Sequence, residues 1–511
     1  MKQSTRRNLR KRKRRIENRL DNRVGCDQEK AMFGAANVHY EVAERTRGMG
    51  VGGIGAIHEL ARSSGLVKEI DKALQLLKFH VPYHESDHVL NIAYNVLAGG
   101  RCLEDLEWLR NDEVYLDALG AQCIPDPTTA GDFCRRFKPH DVEALPDAIN
   151  EVRLRVWAQQ PPAFFEEAVI EADGTLVDST GECKQGMDFT YKSTWGYHPL
   201  LISLANTQEP LYLVNRSGNR NSQEGAAARY DQAISLCRRA GFRRITLRGD
   251  TAFSQSEHLD GWDEEGVRFV LGYGAARNLV KTADSLPETA WSRLARPAKY
   301  EVKTEPRSRP INVKDQAVID REYKNIRLLS EDVASFSYSP SRCTKDYRMV
   351  VLRKNLSIEQ GEEVLFDDIR YFFYITNDLG ADASQIVYEA NDRCNQERLI
   401  DELKNGVRAL HAPVDNLVSN WAYSVMASLA WSLKAWFALL LPAKGRWKEK
   451  HAAEKEAVLR MTFRTFVNAM MRLPVQIVRQ GRRTIFRLLG WNRWLAVFFR
   501  GWEQVRTPLR C

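Results

Sequence analysis

AAARYDQAISLCRRAGFRRITLRGDTAF, Ala226 to Phe253, decides how the chain is read. Its first part is an amphipathic run that stops at Gly241, which is the signature of a helix and its end. Its second part, Arg243 to Phe253, reads as a strand that delivers Asp250 at its C-terminal end. A helix turning at once into a strand suggests one unit of a layered α/β sheet.

Working outward supports that. Upstream, AVIEADGT (Ala168 to Thr175) reads as a strand running into a turn, and alternation puts Val169, Glu171 and Asp173 on one face. TWGYHPLLISLAN and LYLVNRSGN, Thr194 to Asn206 and Leu211 to Asn219, are two further β-rich runs. Downstream, SEHLDGWDEEG reads as a helix and VRFVLGYG, Val267 to Gly274, as a strand. The order β-β-β-α-β-α-β predicts an α/β sheet. Between Lys299 and Asp368 the texture changes to short strand-like runs: KYEVKT, VIDREY, FSYSPS, YRMVVLRK and EEVLFDD. RYFFYITN, Arg370 to Asn377, reads as a separate buried strand. Ile57 to Gln159 is mainly helical, with DPTTAGDFCRRF, Asp126 to Phe137, as a capped helix start. From Pro442 onward the chain reads as helical, basic and aromatic.

The 511 residues suffice for two to four domains. Lys and Arg number 75 against 66 Asp and Glu, a net charge of +9 that favours a polyanionic partner. Nine of residues Lys2 to Arg15 are basic, which reads as a disordered arm that touches phosphate. The start has no apolar core segment of the secretory kind. The nine cysteines are scattered with no C-x-x-C pair, so neither a zinc site nor a disulfide framework is indicated and a cytoplasmic setting is expected. Trp421 to Leu441 is long enough to span a membrane. Lys434 and the stripe Ser424, Ser428, Ser432 within it favour a buried core helix, so no membrane partner is expected.

YEANDRCNQERLIDELKNG, Tyr388 to Gly406, has no helix breaker before its glycine. A continuous helix would put Arg393, Glu397 and Lys404 on nearly one face. Arg393 and Glu397 stand at ordinary salt-bridge spacing, which is the plain alternative. The sharper reading joins Glu397 to Asp173 and Asp250. Three carboxylates on and after the strands of an α/β sheet suit a site. Converging, they could hold two divalent ions, and their oxygens are ligands that Mg²⁺ and Mn²⁺ prefer. Taken singly, each aspartate equally suits a cap or turn.

Together EADGT, LRGDTAFS, ITN and the R-x3-E-x6-K run resemble a bacterial insertion-sequence transposase of the DDE type, nearest the 1380 group, from the class with a β-strand insertion. The resemblance runs from about Ala168 to Phe437. It implies a ribonuclease-H-like catalytic core, with Asp173, Asp250 and Glu397 as catalytic metal ligands for two Mg²⁺ or Mn²⁺ ions. Arg393 and Lys404 would bind phosphates of the DNA end. In the family signature a tyrosine precedes the arginine by three. Here that slot is Ala390, and the nearest tyrosine is Tyr388.

The expected organisation is a basic arm (1–30), a helical end-binding domain (31–160), a core in two parts (161–274 and 369–441), a β insertion (275–368) and a basic helical C-terminal region (442–511). The expected reaction is cleavage at inverted-repeat ends and strand transfer of the 3′-OH into target DNA, by a homodimer on double-stranded DNA associated with the nucleoid. A hairpin intermediate follows only by analogy. A nuclease of the same fold that does not join, and a DNA-binding protein without catalysis, are the other readings. His198, Asp178, Asp188, Trp195, Phe336 and Tyr338 are expected to be structural, and GYGAARN is too short for a nucleotide fingerprint.

Overall fold

The computed structural model describes residues 3–21, 35, 37–42, 46–296, 313–361, 363–481, 483–507 and 509. The three central strands of its main sheet, Glu167–Gly174, Arg244–Gly249 and Arg268–Tyr273, run parallel. Their middles are near-continuous buried runs, as strands covered on both faces require. Leu200–Leu204 and Glu209–Val214 extend the sheet antiparallel on one side. On the other side Glu363–Thr376, Tyr347–Gln360, Lys324–Tyr338 and the short Ser292–Arg293 follow in that order, also antiparallel.

Helix Ala226–Ala240 covers one face and ends at Gly241, whose φ of 94° suits glycine. Tyr230 on this helix reaches across the strand end: a Cβ on Gly249 would lie 3.0 Å from its hydroxyl and 2.8 Å from the Cβ of Phe253. Helices Ala383–Asn391 and Cys394–Asp401 cover the opposite face, where Glu171 and Arg248 point. The mixed α/β sheet expected from Ala226 to Phe253 is therefore present.

Helix Leu417–Leu439 is the second organising element. It is buried along nearly its whole length against helices Glu85–Ala98 and Pro139–Trp157 and strand Glu209–Val214. Lys434 within it is fully buried; its Nζ donates to the Leu459 carbonyl at 2.8 Å and lies 3.7 Å from the Trp431 ring centroid. Burial pushes that ammonium down to about 7. Among the described residues no helix is long and apolar enough to cross a membrane.

Several expectations are corrected. Gln3–Asp21 of the basic arm is a helix, not a disordered tail; it lacks Gly and Pro, carries a Lys13–Glu17 pair one turn apart, and Arg12 donates to the Gly490 carbonyl at 3.0 Å. VIDREY is not a strand. Val313–Asp320 is helical, with Gln316 bonded to Asp320 across one turn. YRMVVLRK and EEVLFDD are not short runs, and RYFFYITN is not a separate strand: 14-residue strands Tyr347–Gln360 and Glu363–Thr376 pair along their length, so the expected boundary at 368/369 falls inside a strand. The KYEVKT run lies outside the described residues. The C-terminal region is not all helical. VQIVRQ and RTIFRL form a hairpin, Val475–Gln480 with Arg483–Leu488, turned at Gly481 with φ 59°, and Val475 and Gln476 pair with Met49 and Gly48. Alternating apolar residues around a glycine carried that signal.

Candidate active site

Asp173 stands near the C-terminal end of Glu167–Gly174, its Cα opposite Leu201. Its side chain is 18% exposed, and Arg393 Nη2 donates to its Oδ2 at 3.1 Å. Burial raises this carboxyl to about 6; Arg393 opposes the shift, while the charges of Asp250 and Glu397 add to it. Asp173 thus feels the charge of the other two acids singled out by sequence. Asp250 follows strand Arg244–Gly249, and its Oδ1 accepts the Ala252 N–H at 2.8 Å, so it also starts the next turn.

Glu397 is exposed on helix Cys394–Asp401, and among the described residues its carboxylate has no ion-pair or hydrogen-bond partner. The plain alternative, an Arg393–Glu397 side-chain bridge, is absent among these residues: Arg393 turns to Asp173 instead. Nor is the helix continuous. Ala383–Asn391 ends, Arg393 caps the next helix, and Lys404 lies in a π-helical turn, Glu402–Gly406. Buried Arg248 sits at the break. Its Nη1 donates at 3.0 Å to the Glu389 carbonyl, the acceptor that the Arg393 N–H would use in an unbroken helix. Lys404 is half-buried and reaches the Leu176 carbonyl just past the strand, at 2.7 Å. Desolvation lowers its pKa, against the charges of Asp178, Asp401 and Asp173.

Sequence reasoning missed the residues that hold these elements in place. Glu171, two positions before Asp173, is 1% exposed and accepts Nε and Nη2 of Arg248 at 2.8 and 2.6 Å. Arg248 in turn stands two positions before Asp250, so one buried ion pair ties the two acid-bearing strands together. The period-two spacing from each acid was visible; the pairing was not. Gln396, fully buried beside exposed Glu397, bonds Ser203 and the Leu201 carbonyl and docks the helix on the sheet. A Cβ on Gly174 would lie 2.7 Å from His198 Nε2, so glycine is required after Asp173. His198 itself is structural: buried, with Nδ1 donating to the Arg220 carbonyl at 2.9 Å. Trp195 Nε1 bonds the Gly181 carbonyl, Asp188 accepts from Phe189 N–H and Asn219, and Phe336 and Tyr338 pack on the core.

The donor chemistry fits a hard divalent ion. Three carboxylates supply oxygen, and Arg393 opposes the burial that raises the Asp173 carboxyl. Among the described residues no group of three or more His, Cys, Asp or Glu side chains is arranged to hold a metal ion.

A family model, Transposase DDE domain group 1, matches residues 47–506. The chain belongs to this family of DDE transposases. Membership makes it a DNA-cleaving and strand-transfer enzyme. No curated protein matches it. A solved structure, the piggyBac transposase synaptic complex with hairpin DNA, is similar at 11% identity and a TM-score of 0.33, over 83% of this chain and 82% of that one. Likeness of that degree fixes no residue role in the DDE transposase described here.

Proposed function

We propose that Asp173, Asp250 and Glu397 are the acids for which the family is named, in a ribonuclease-H-like core, and that they hold two Mg²⁺ or Mn²⁺ ions. The observation that carries this is Asp173: buried, raised to about 6, and coupled to both other acids across three separate elements. Bound ions of this kind activate an attacking oxygen and stabilise the leaving one in phosphoryl transfer.

The chain's own residues prepare the site. Arg393, 18% exposed, offsets the charge of Asp173 and would place a cation beside the phosphates of the DNA end. Lys404, beside the strand end at Leu176, supplies a second cation for the backbone of the DNA end. The Arg248–Glu171 pair keeps the two aspartate-bearing strands in register.

The division into a β insertion between two core parts, flanked by DNA-binding helical regions, is part of this reading. So are placement near the 1380 group, a homodimer joining two inverted-repeat ends, and location at the nucleoid. The test is single-turnover cleavage and joining of a duplex carrying the element's own terminal repeat, with Mg²⁺, Mn²⁺, Ca²⁺ or excess EDTA. Cleavage with Mg²⁺ or Mn²⁺ and binding without cutting in Ca²⁺ are expected. Undiminished cleavage in EDTA would refute the metal assignment, and cutting without joining would make the enzyme a nuclease.

A further inference from the structure

A cavity of about 550 Å³ lies far along the chain from the three acids, between the loop from Leu77 to Tyr83 and helix Pro127–Arg136. That volume is within the usual range for small-molecule sites. Half-buried Tyr83 and exposed Phe79 line it, over a buried floor of His88 and Phe133. Phe133 stacks on His88 with centroids 4.2 Å apart, and Tyr83 meets His88 edge-on at 5.4 Å. His88 is buried, its Nδ1 lacks a hydrogen-bond partner among the described residues, and burial with Arg136 nearby pushes it down to about 4, so the ring is neutral.

Two features at the mouth need an explanation that folding does not give. Phe79 and Val81 are 81% and 85% exposed. Lys78 and Arg136 also line the cavity, and neither has a carboxylate partner among the described residues. The one acid of the lining, Asp132, is paired with Arg135 at 2.9 Å. Apolar side chains beside unpaired cations, over an aromatic wall, match the two halves of a nucleotide: a base to stack and a phosphate to neutralise. A second copy of the chain would bring a net charge of +9 to this cationic rim. Exposed apolar side chains of this kind also serve as wedges between base steps.

We propose that this cavity binds one unpaired nucleotide of the DNA, with Phe79 and Val81 separating it from its neighbours and half-buried Tyr83, backed by the buried His88–Phe133 stack, forming the stacking wall. This rests on the DNA partner of the preceding reading but not on its three acids.

The experiment compares the full chain on two probes at equal salt: a fully paired duplex, and the same duplex with one unpaired adenine. The wild type is expected to bind the second about five- to a hundredfold more tightly, the range one base stacked on an aromatic ring supplies. Phe79→Ala/Val81→Ala, both exposed and outside the core, should remove that preference and keep paired-duplex affinity. Tyr83→Ala should do the same, and Tyr83→Phe should restore it. Equal wild-type affinity for the two probes overturns the proposal. So does a preference that survives these changes. Loss of paired-duplex binding in a folded Phe79→Ala/Val81→Ala variant overturns it as well, by making these residues general DNA contacts. A wild type that binds neither probe refutes the DNA reading itself.

Discussion

The two ends of the main sheet solve the same problem differently. At the acid-bearing end, strands are tied by charges taken out of water: Glu171 and Arg248 are 1% and 4% exposed. At the far end of the long antiparallel strands, pairing continues with little cover: Ile326 and Phe366, which share a cross-strand row through Ile358, are 53% and 59% exposed. A buried ion pair is a poor source of net stability, yet breaking it is costly. Its place beside Asp173 and Asp250 therefore indicates a demand for fixed position. The far end shows what the fold does where no position must be fixed.

The largest effect should come from the acids. Glu397→Gln keeps size and helix propensity and removes a charge from an exposed carboxylate with no partner among the described residues. It should lower single-turnover cleavage on the order of a thousandfold, the loss of several kcal/mol of metal-assisted stabilisation. End binding and the melting temperature should stay at wild-type values. A variant that cuts at near wild-type rate would reduce the helix to a solvated face. Asp173→Asn and Asp250→Asn should match it in cleavage.

Breaking the anchor should separate position from chemistry. Arg248→Met leaves Glu171 as an unpaired buried charge and should cost about 3–5 kcal/mol in unfolding. It also frees the Glu389 carbonyl. Arg248→Met/Glu171→Leu removes both charges and should recover much of that stability, but not the cleavage rate. If the double variant cuts normally, the pair serves stability alone.

The third test uses acidity. Asp173 is raised to about 6 by burial, and Arg393 is the largest influence holding it down. Its carboxylate, needed to ligate a cation, forms as pH rises through that value, so cleavage should fall on the acid side below about 6. In Arg393→Ala the same limb should move to higher pH, while Arg393→Lys should keep much of the wild-type profile. The sign for stability is the reverse of that for activity. A carboxyl raised in the folded state stabilises below its unfolded value, and that contribution is lost as pH rises through the folded one. Asp173→Asn should therefore flatten the decline in stability across that window. A limb that does not move in Arg393→Ala would detach Arg393 from Asp173.

The sequence carried the α/β order because helix and strand periods differ over Ala226 to Phe253 and end at recognisable residues. It singled out Asp173 and Asp250 as candidates because a charge closing an apolar strand is conspicuous. It misjudged the helix from Tyr388, where the carbonyl at the break is bonded by Arg248, 141 positions away. No local propensity reports such a contact. The hairpin Val475–Leu488 was passed over for a different reason: its strands are only six residues each and lie between helices, and its first strand finds a partner at Gly48–Met49. The long strands were split in reading because charged residues such as Arg353, Lys354 and Arg370 interrupt their apolar pattern. Arg353 pairs with Glu288, outside those strands, and Lys354 with Glu331, its neighbour across the sheet.

The smallest expected effect is at the far end of those strands, and it tests the comparison most directly. Phe366 and Phe373 lie on one strand, Glu363–Thr376. Phe373 is 2% exposed and pairs with Tyr273 at the parallel centre; Phe366 is 59% exposed and pairs with Ile358. Phe373→Ala should cost about 3–5 kcal/mol, because it removes a buried ring and leaves a cavity. Phe366→Ala should stay within about 0.5 kcal/mol, as surface changes do. Paired urea unfolding of the two variants reads the difference. A cost at Phe366 approaching that at Phe373 would mean the outer strands are covered in solution, by another part of the chain or by a second copy. Repeating the melt over a range of protein concentration then tells the two apart, because only cover by a second copy weakens on dilution.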